Sequence, residues 1–211
     1  MKSAKPQSAI RDPKSEMLVE VHPFKNFLPP GATHLVLGSF PTLNKNWRFN
    51  FYYPGRSNFF WRILSDVYKT PFAHTVGEEA IKERHRLILD KRIAISDVIY
   101  SVKRKVATSS KDSDLIVVEK MNIVKILREN PTIHTVILTG SSGKVSAHGV
   151  FYEHLKENDV LFHIDESTPP IIGHFMLDKR KINVYSLYST SGINIGRYKQ
   201  ALEQYRKYLP E

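Results

Sequence analysis

Four short apolar segments, spread along the chain, constrain its fold more than any other feature of the sequence. Each has the length and composition of a buried strand, bounded by residues that favour turns or loops. We therefore predict four buried strands. The segments are THLVLGSF (33–40), RIAISDVIYSV (92–102), IHTVILTG (133–140) and KINVYSLYS (181–189).

Segments with helical character lie between and after these strands. Residues 59–68 place Phe60, Ile63, Leu64 and Val67 on one face of a helix. Strands that alternate with helices predict an α/β fold, with a parallel sheet covered by helices on both faces. Further helices are predicted at 77–92, 119–129 and 141–158, and in a last segment where Ile195, Tyr198, Leu202, Tyr205 and Leu209 follow one another at helical spacing.

A parallel sheet of this kind binds ligands beyond the carboxyl ends of its strands. We therefore expect the segments at these four ends to converge on one site. None of them is a Walker A loop, and TGSSGK, which lacks the GK[ST] ending, indicates a strand-to-helix turn. The four segments are GSFP (38–41), SDVIYS (96–101), TGSSGK (139–144) and YSTSGIN (188–194).

The chain of 211 residues is long enough for one α/β domain, predicted at 18–211. Residues 1–17 are polar and basic and contain no apolar h-region, so we expect a flexible arm and no signal peptide. The sequence has no run of 18 apolar residues that could span a membrane. A cytoplasmic, monomeric protein without a membrane partner is expected.

Net charge and cysteine content point to the class of partner. Lys and Arg number 31 against 21 Asp and Glu, and this surplus of ten positive charges favours a polyanion such as DNA. The chain has no cysteine, which excludes disulfides, Cys-ligated zinc and Cys-ligated iron–sulfur clusters. Its nine histidines form no HxxxH or HxH pattern, so we expect no metal and no other cofactor.

The aromatic loop, NFYYPGRSNFFW (50–61), places six aromatic residues around a Pro-Gly turn before a helix. Together with three other motifs, it resembles the uracil-DNA glycosylase superfamily over roughly residues 20–208. The similarity is greatest to the hypoxanthine/uracil and mismatch-specific branches. The other motifs, in the same order along the chain, are HPFKNFLPPGATHLVLGSFP (22–41), ISDVIYSVKR (95–104) and STSGIN (189–194).

The resemblance implies a fold and an activity. The fold is a three-layer α/β/α sandwich with a short, mainly parallel four-stranded sheet. The activity is removal of a deaminated base, uracil or hypoxanthine, by hydrolysis of its bond to deoxyribose. Such an enzyme must first turn the base out of the duplex into a pocket, because the bond is inaccessible inside the helix. The expected partner is therefore DNA that contains deaminated bases.

The resemblance also implies roles for residues near the first two strands. Gly38, Ser39 and Phe40 correspond to the first motif, but Phe40 stands where the mismatch branch has Asn. Asn58, which precedes the aromatic-Trp pair, then becomes the catalytic residue that orients a water. Tyr53 is the stacking platform for the base, and Asp97 accepts a hydrogen bond from its ring N–H.

The last motif is expected to bind DNA through hydroxyls and backbone N–H groups near a helix start. Ile193 corresponds to the wedge that fills the gap left by the base, and Arg197 is a candidate phosphate contact. Leu187 stands where other branches place His or Asn, which predicts slower chemistry. The expected DNA-binding residues are Ser189, Thr190, Ser191, Gly192, Ile193 and Arg197.

Each assignment has a plainer alternative. Asn58 and Asp97 are also suited to capping a helix or turn, Tyr53 to packing in the core, and Ser189–Gly192 to forming an ordinary turn. Two other functions stay open as well. One is a nucleic-acid-binding protein on the same scaffold with weakened catalysis, and the other is an α/β hydrolase of free nucleosides or nucleotides.

Overall fold

The computed structural model describes residues 18–211, and the arm predicted at 1–17 lies outside the described residues. Nine strands and five α-helices make up this part of the chain. In order, they are β1 (Val19–Val21), β2 (His34–Gly38), α1 (Phe60–Tyr68), α2 (Gly77–Asp90), β3 (Ile93–Asp97), β4 (Ile99–Arg104), β5 (Leu115–Lys120), α3 (Ile123–Glu129), β6 (Thr135–Leu138), α4 (Ala147–Glu157), β7 (Phe162–Glu166), β8 (Ile171–Leu177), β9 (Arg180–Ser186) and α5 (Tyr198–Tyr208).

The central sheet has six strands in the order β3-β2-β6-β9-β8-β7. Its first four strands are parallel, and they are the four strands predicted from the apolar segments. Strands β8 and β7 extend the sheet in antiparallel pairing. The α/β class and a mostly parallel sheet are thus confirmed, whereas the prediction of four strands misses two.

The segment predicted as one strand at 92–102 is two strands in different sheets. β3 ends at Asp97, and after Val98 the chain continues as β4, which pairs with β1 and β5 in a separate antiparallel sheet. The N–H groups of Val98 and Ile99 donate to the carbonyls of Gly38 and Ser39. The chain therefore leaves the central sheet directly beside the carboxyl end of β2.

Three helix predictions were also too long. Helix α4, predicted at 141–158, begins only at Ala147, after a turn in which the Ser146 hydroxyl donates to the Gly143 carbonyl. Helix α3 begins only at Ile123, because the chain before it pairs with β4 as β5. Helix α5 begins at Tyr198, because Gly192–Arg197 form a 3-10 helix. For α3 and α5, the helical spacing of residues in the sequence did not reveal that the preceding residues pair as a strand or form a 3-10 helix.

Two apolar clusters cover the two faces of the central sheet. In β2, Leu35 and Leu37 face one cluster and Val36 faces the other, as the alternation of side chains along a strand requires. Buried residues of α3 and α4 complete the first cluster, and those of α1, α2 and α5 complete the second. Helices therefore pack on both faces, which is compatible with a three-layer α/β/α sandwich. Within residues 18–211, no helix has the length and apolar character needed to cross a membrane.

Candidate functional site

The loops at the carboxyl ends of the parallel strands meet around Gly38, the last residue of β2. Gly38 pairs with Asp97 in register. A Cβ added at Gly38 would lie 2.4 Å from Asp97 Oδ1 and 3.2 Å from the Tyr53 hydroxyl. On the other side, a Cβ on Gly140 would lie 3.5 Å from Ser189 Cβ. The expected convergence of these ends therefore occurs, and glycine permits the close approach at its centre.

Tyr53 is the residue of the aromatic loop that reaches this site. Its ring stacks on Phe60 with centroids 3.9 Å apart, and its hydroxyl lies 3.2 Å from Thr139 Oγ1. Burial, with the nearby charge of Asp97, raises the pKa of Tyr53 well above its usual range. Its backbone φ of 53° lies in the left-handed region, an arrangement that in a bulky residue often marks a functional site. Phe51 and Tyr52 are instead buried in the core.

Asp97 lies at the end of β3 as a buried carboxylate with one protein partner. Its Oδ2 accepts a hydrogen bond of 2.8 Å from His22 Nε2, and both side chains are almost fully enclosed. Within residues 18–211, Asp97 Oδ1 accepts no hydrogen bond. The backbone N–H groups of Ser39 and Phe40 donate none. The second carboxylate oxygen and these two donors therefore have no hydrogen-bond partner among the described residues.

His22 fixes the orientation of Asp97. Its Nδ1 lies 2.9 Å from the carbonyl oxygen of Phe24 and 3.2 Å from the Phe24 nitrogen, so this ring atom can donate or accept. Burial alone would lower the pKa of His22, but the hydrogen bond and charge of Asp97 outweigh it and raise the pKa. The contact with Asp97 therefore favours the protonated form of His22 more than an exposed site would.

Phe40 contributes no polar group to the site. Its side chain is buried and packs edge-on against the His22 ring, with centroids 5.6 Å apart. The neighbouring Ser39 instead donates its hydroxyl to Asp112 Oδ2 at 3.0 Å. The first motif is therefore polar only through its serine and its backbone.

Asp112 lies at the rim of the site, exposed to solvent on one side. Loss of hydration among the surrounding protein atoms raises the pKa of Asp112 to about 6; the charge of Asp97 adds to this rise. The hydrogen bond from Ser39 and the charge of Arg104 act in the opposite direction. This carboxyl can therefore change its protonation state near neutral pH.

Asn58 forms the turn that starts helix α1. Its Oδ1 accepts a hydrogen bond of 2.9 Å from the Phe60 nitrogen, and its own N–H donates to the Gly55 carbonyl. The N-cap of α1 is Phe59, which forms no side-chain cap bond, so Asn58 stabilises the turn just before the helix and is not its cap. This hydrogen bond does not conflict with a catalytic role, because an amide oxygen has a second lone pair that can hold a water.

The last motif, residues 189–194, packs onto the aromatic loop and presents an apolar tip. Thr190 is buried, and its carbonyl accepts from the Phe59 nitrogen at 3.0 Å. Ser189 Oγ accepts from the Ser191 nitrogen at 3.2 Å. A Cβ on Gly192 would lie 2.5 Å from Ser57 Cβ, so this contact requires glycine. Ile193 is 91% exposed.

Arg197, the last residue of the 3-10 helix Gly192–Arg197, is exposed, and its guanidinium carbon lies 5.3 Å from the centre of the Tyr188 ring. Among the expected DNA-binding residues, it is the one that carries a charge. Its position leaves the guanidinium free to contact a phosphate.

Three residues of the site were not predicted from the sequence. His22 was not assigned to the site, since nothing in the sequence connects it with Asp97, 75 residues further on. Asp112 lies in a polar loop with no periodic pattern. Thr139 could have been found, because it belongs to a segment predicted at a strand end. The concavity of about 480 Å³ beside Trp47, Arg48 and Glu78 contains none of the site residues.

The comparisons with known proteins give no family. No protein-family model matches this chain, and no curated protein has a significantly similar sequence. Fold and geometry define an α/β protein with a polar site, walled by aromatic rings, at the carboxyl ends of its parallel strands.

Gly38→Ala should destabilise the protein and disturb the His22–Asp97 pair. The new methyl group would overlap Asp97 Oδ1, and overpacking of this kind costs about 1–3 kcal/mol. Urea unfolding measures the free energy, and NMR titration of His22 should show its pKa falling as Asp97 moves away. Gly55→Ala is the control, since its Cβ would meet ordinary contacts at 3.6 and 3.7 Å. Equal effects of the two substitutions would show that Gly38 is not required for the close approach.

Proposed function

We propose that this protein is a DNA glycosylase, which turns a deaminated base out of DNA and hydrolyses its N-glycosidic bond to leave an abasic site. The observation that carries the proposal is the meeting of Gly38, Tyr53 and Asp97 at the carboxyl ends of the parallel strands, beside a loop that exposes Ile193. The order of the motifs along the chain supports a fold of the uracil-DNA glycosylase type.

Base recognition is assigned to Asp97 and the first motif. An ionised carboxylate accepts but cannot donate hydrogen bonds. Asp97 Oδ1 is therefore suited to the ring N–H of uracil or hypoxanthine, while the N–H of Ser39 or Phe40 donates to the adjacent carbonyl. Tyr53 offers an aromatic surface, and stacking of a base on such a ring contributes about 1–3 kcal/mol.

Hydrolysis needs a water placed against the sugar carbon as the bond to the base breaks. We assign the orientation of this water to Asn58, whose Oδ1 keeps a lone pair beyond its bond to the Phe60 nitrogen. An oxocarbenium-like transition state requires only a weak nucleophile once the departing base anion is stabilised. The open N–H groups of the first motif are suited to that stabilisation.

DNA binding is assigned to the last motif and to the net positive charge. Ile193 is the wedge, because an isoleucine that is 91% exposed can enter the gap left by the extruded base. Ser189, Ser191, Gly192 and Arg197 contact phosphates around it. Thr190, which is buried, supports the loop through its carbonyl bond to Phe59 and is assigned no phosphate.

The function is tested with labelled oligonucleotides that carry one uracil, hypoxanthine, xanthine or T·G mismatch, treated with alkali after incubation. A glycosylase should produce strand breaks at a deaminated base and none in the undamaged strand. Tight binding of the lesions without breaks would identify a binding protein instead. Faster hydrolysis of free nucleosides than of oligonucleotides would identify a nucleoside hydrolase.

Asn58→Ala should lower single-turnover cleavage by about 10²-fold, the scale of one positioned catalytic group. The matched variant is Asn58→Asp, which keeps an oxygen for the Phe60 nitrogen. It should preserve stability and retain activity on at least one deaminated base. If Asn58→Ala cleaves as fast as the parent at a temperature where both are folded, Asn58 does not orient the water.

Ile193→Gly should weaken cleavage in duplex DNA more than in single strands, because only a duplex leaves a stacked gap to fill. Ile195→Gly is the matched control, as this isoleucine is half exposed and lies in the same 3-10 helix. The measurement is the ratio of single-turnover rates on the two forms of one lesion. An unchanged ratio for Ile193→Gly would exclude a wedge.

A further inference from the structure

In the first motif, position 40 is a buried phenylalanine, and a carboxylate from a distant part of the chain, Asp112, is bound to the neighbouring Ser39. Phe40 packs against His22 and contributes no hydrogen-bonding group to the site. Ser39, the adjacent residue, donates to Asp112 Oδ2 at 3.0 Å. Asp112 is 73 residues away along the chain, in the loop 105–114 between β4 and β5.

The 105–114 loop is held against the site from its first residues to its last. Buried Arg104 donates to the carbonyls of Ser109 and Pro41 and forms an ion pair of 2.8 Å with Glu20. The Lys105 nitrogen donates to the carbonyl of Asp114. The same buried guanidinium therefore fixes both the loop and the end of the first motif.

The middle of the loop is attached to the segment that follows the first motif. Ser110 Oγ accepts from the Asn46 amide at 3.3 Å and lies 3.5 Å from the Leu43 nitrogen. Ser109 Oγ donates to Asp114 Oδ2. Asp112, between these anchors, is thus directed to Ser39 by contacts on both sides of it.

We propose that Asp112 is the general base that deprotonates the attacking water. The assignment rests on the proposed function. The water oxygen forms a bond to the sugar carbon C1′, and its proton passes to the Asp112 carboxylate. The bond from C1′ to the base nitrogen breaks, and its electron pair leaves with the base, which takes a proton from solvent. Asn58 orients the water, which an amide can do without accepting a proton.

Asp112 suits this role better than Asp97. Asp97 is enclosed, and His22 holds one of its oxygens. Asp112 is exposed on one side and can meet a water. The charged and titratable groups that face it are Asp97 from β3, with His22 behind it, and Arg104 from β4.

The protonation equilibrium of Asp112 agrees with a role as general base. A general base works best with a pKa near the operating pH, and loss of hydration with the charge of Asp97 raises the pKa of Asp112 to about 6. Below that pH the carboxyl is protonated and cannot accept the proton, so cleavage should increase as pH rises through about 6. Ser39 lowers this pKa by its hydrogen bond, so its removal should move the rise to higher pH.

The test compares single-turnover cleavage by the parent, Asp112→Asn, Ser39→Ala and Glu119→Gln between about pH 5 and about pH 8. Asp112→Asn should cleave about 10²-fold more slowly and lose the rise near pH 6. Ser39→Ala should keep the rise but shift its midpoint upward. Glu119→Gln removes an exposed carboxylate from β5 and should match the parent. Affinity for a duplex with a reduced abasic site should be unchanged by Asp112→Asn.

The outcomes separate this assignment from the proposed function. If the parent cleaves a lesion and Asp112→Asn cleaves it equally fast with the same pH profile, the assignment is overturned and the function is retained. An unmoved midpoint in Ser39→Ala also overturns the assignment. A parent that cleaves none of the four lesions overturns both.

Discussion

The hydrogen bond between His22 and Asp97 is the interaction on which the site depends. A carboxylate is costly to bury unless it is paired, and His22 forms this pair with Asp97 at 2.8 Å. Around the His22 ring, Phe24, Phe40 and Tyr52 form an aromatic wall with ring centroids within 5.7 Å. Because this pair takes up Oδ2, the orientation of Oδ1 is fixed and faces Gly38.

The break between β3 and β4 connects this pair with the rest of the site. If the chain had continued as one strand beyond Asp97, it would have stayed in the central sheet. Instead it turns at Val98, bonds to the carbonyl of Gly38 and joins a second sheet. That sheet carries Arg104 and the 105–114 loop, which return Asp112 to the carboxyl end of β2. An irregularity in one strand therefore brings two carboxylates to one site.

The local sequence pattern predicted the features that depend on interactions between residues close together in the chain. The four parallel strands follow from their apolar segments, and the convergence of their ends follows from parallel pairing. The pattern could not reveal the antiparallel strand β7, whose residues are largely exposed. In β8, every second residue from Gly173 to Leu177 is buried, so an alternation typical of a strand was present there and was missed. Nor could the pattern connect His22 with Asp97, or Ser39 with Asp112, because each pair is joined by tertiary packing across more than 70 residues. Tyr53 and Asn58 were predicted from the motif: Tyr53 lies beside Gly38, and Asn58 accepts a hydrogen bond from the Phe60 nitrogen in the turn before α1.

Two carboxylates so close to one another must differ in environment if they are to differ in role. Asp97 is enclosed, and a partner whose own pKa is raised by the contact compensates its charge. Asp112 is exposed on one side, and the protein atoms on its other side reduce its hydration and raise its pKa to about 6. The ionised Asp97 also makes ionisation of Asp112 harder, because like charges oppose each other more strongly where hydration is reduced. Burial and pairing therefore divide the two groups into a permanent hydrogen-bond acceptor and a proton acceptor that responds to pH. Phenylalanine at position 40 is compatible with a polar site, because the 105–114 loop brings the carboxyl group of Asp112 to the adjacent Ser39.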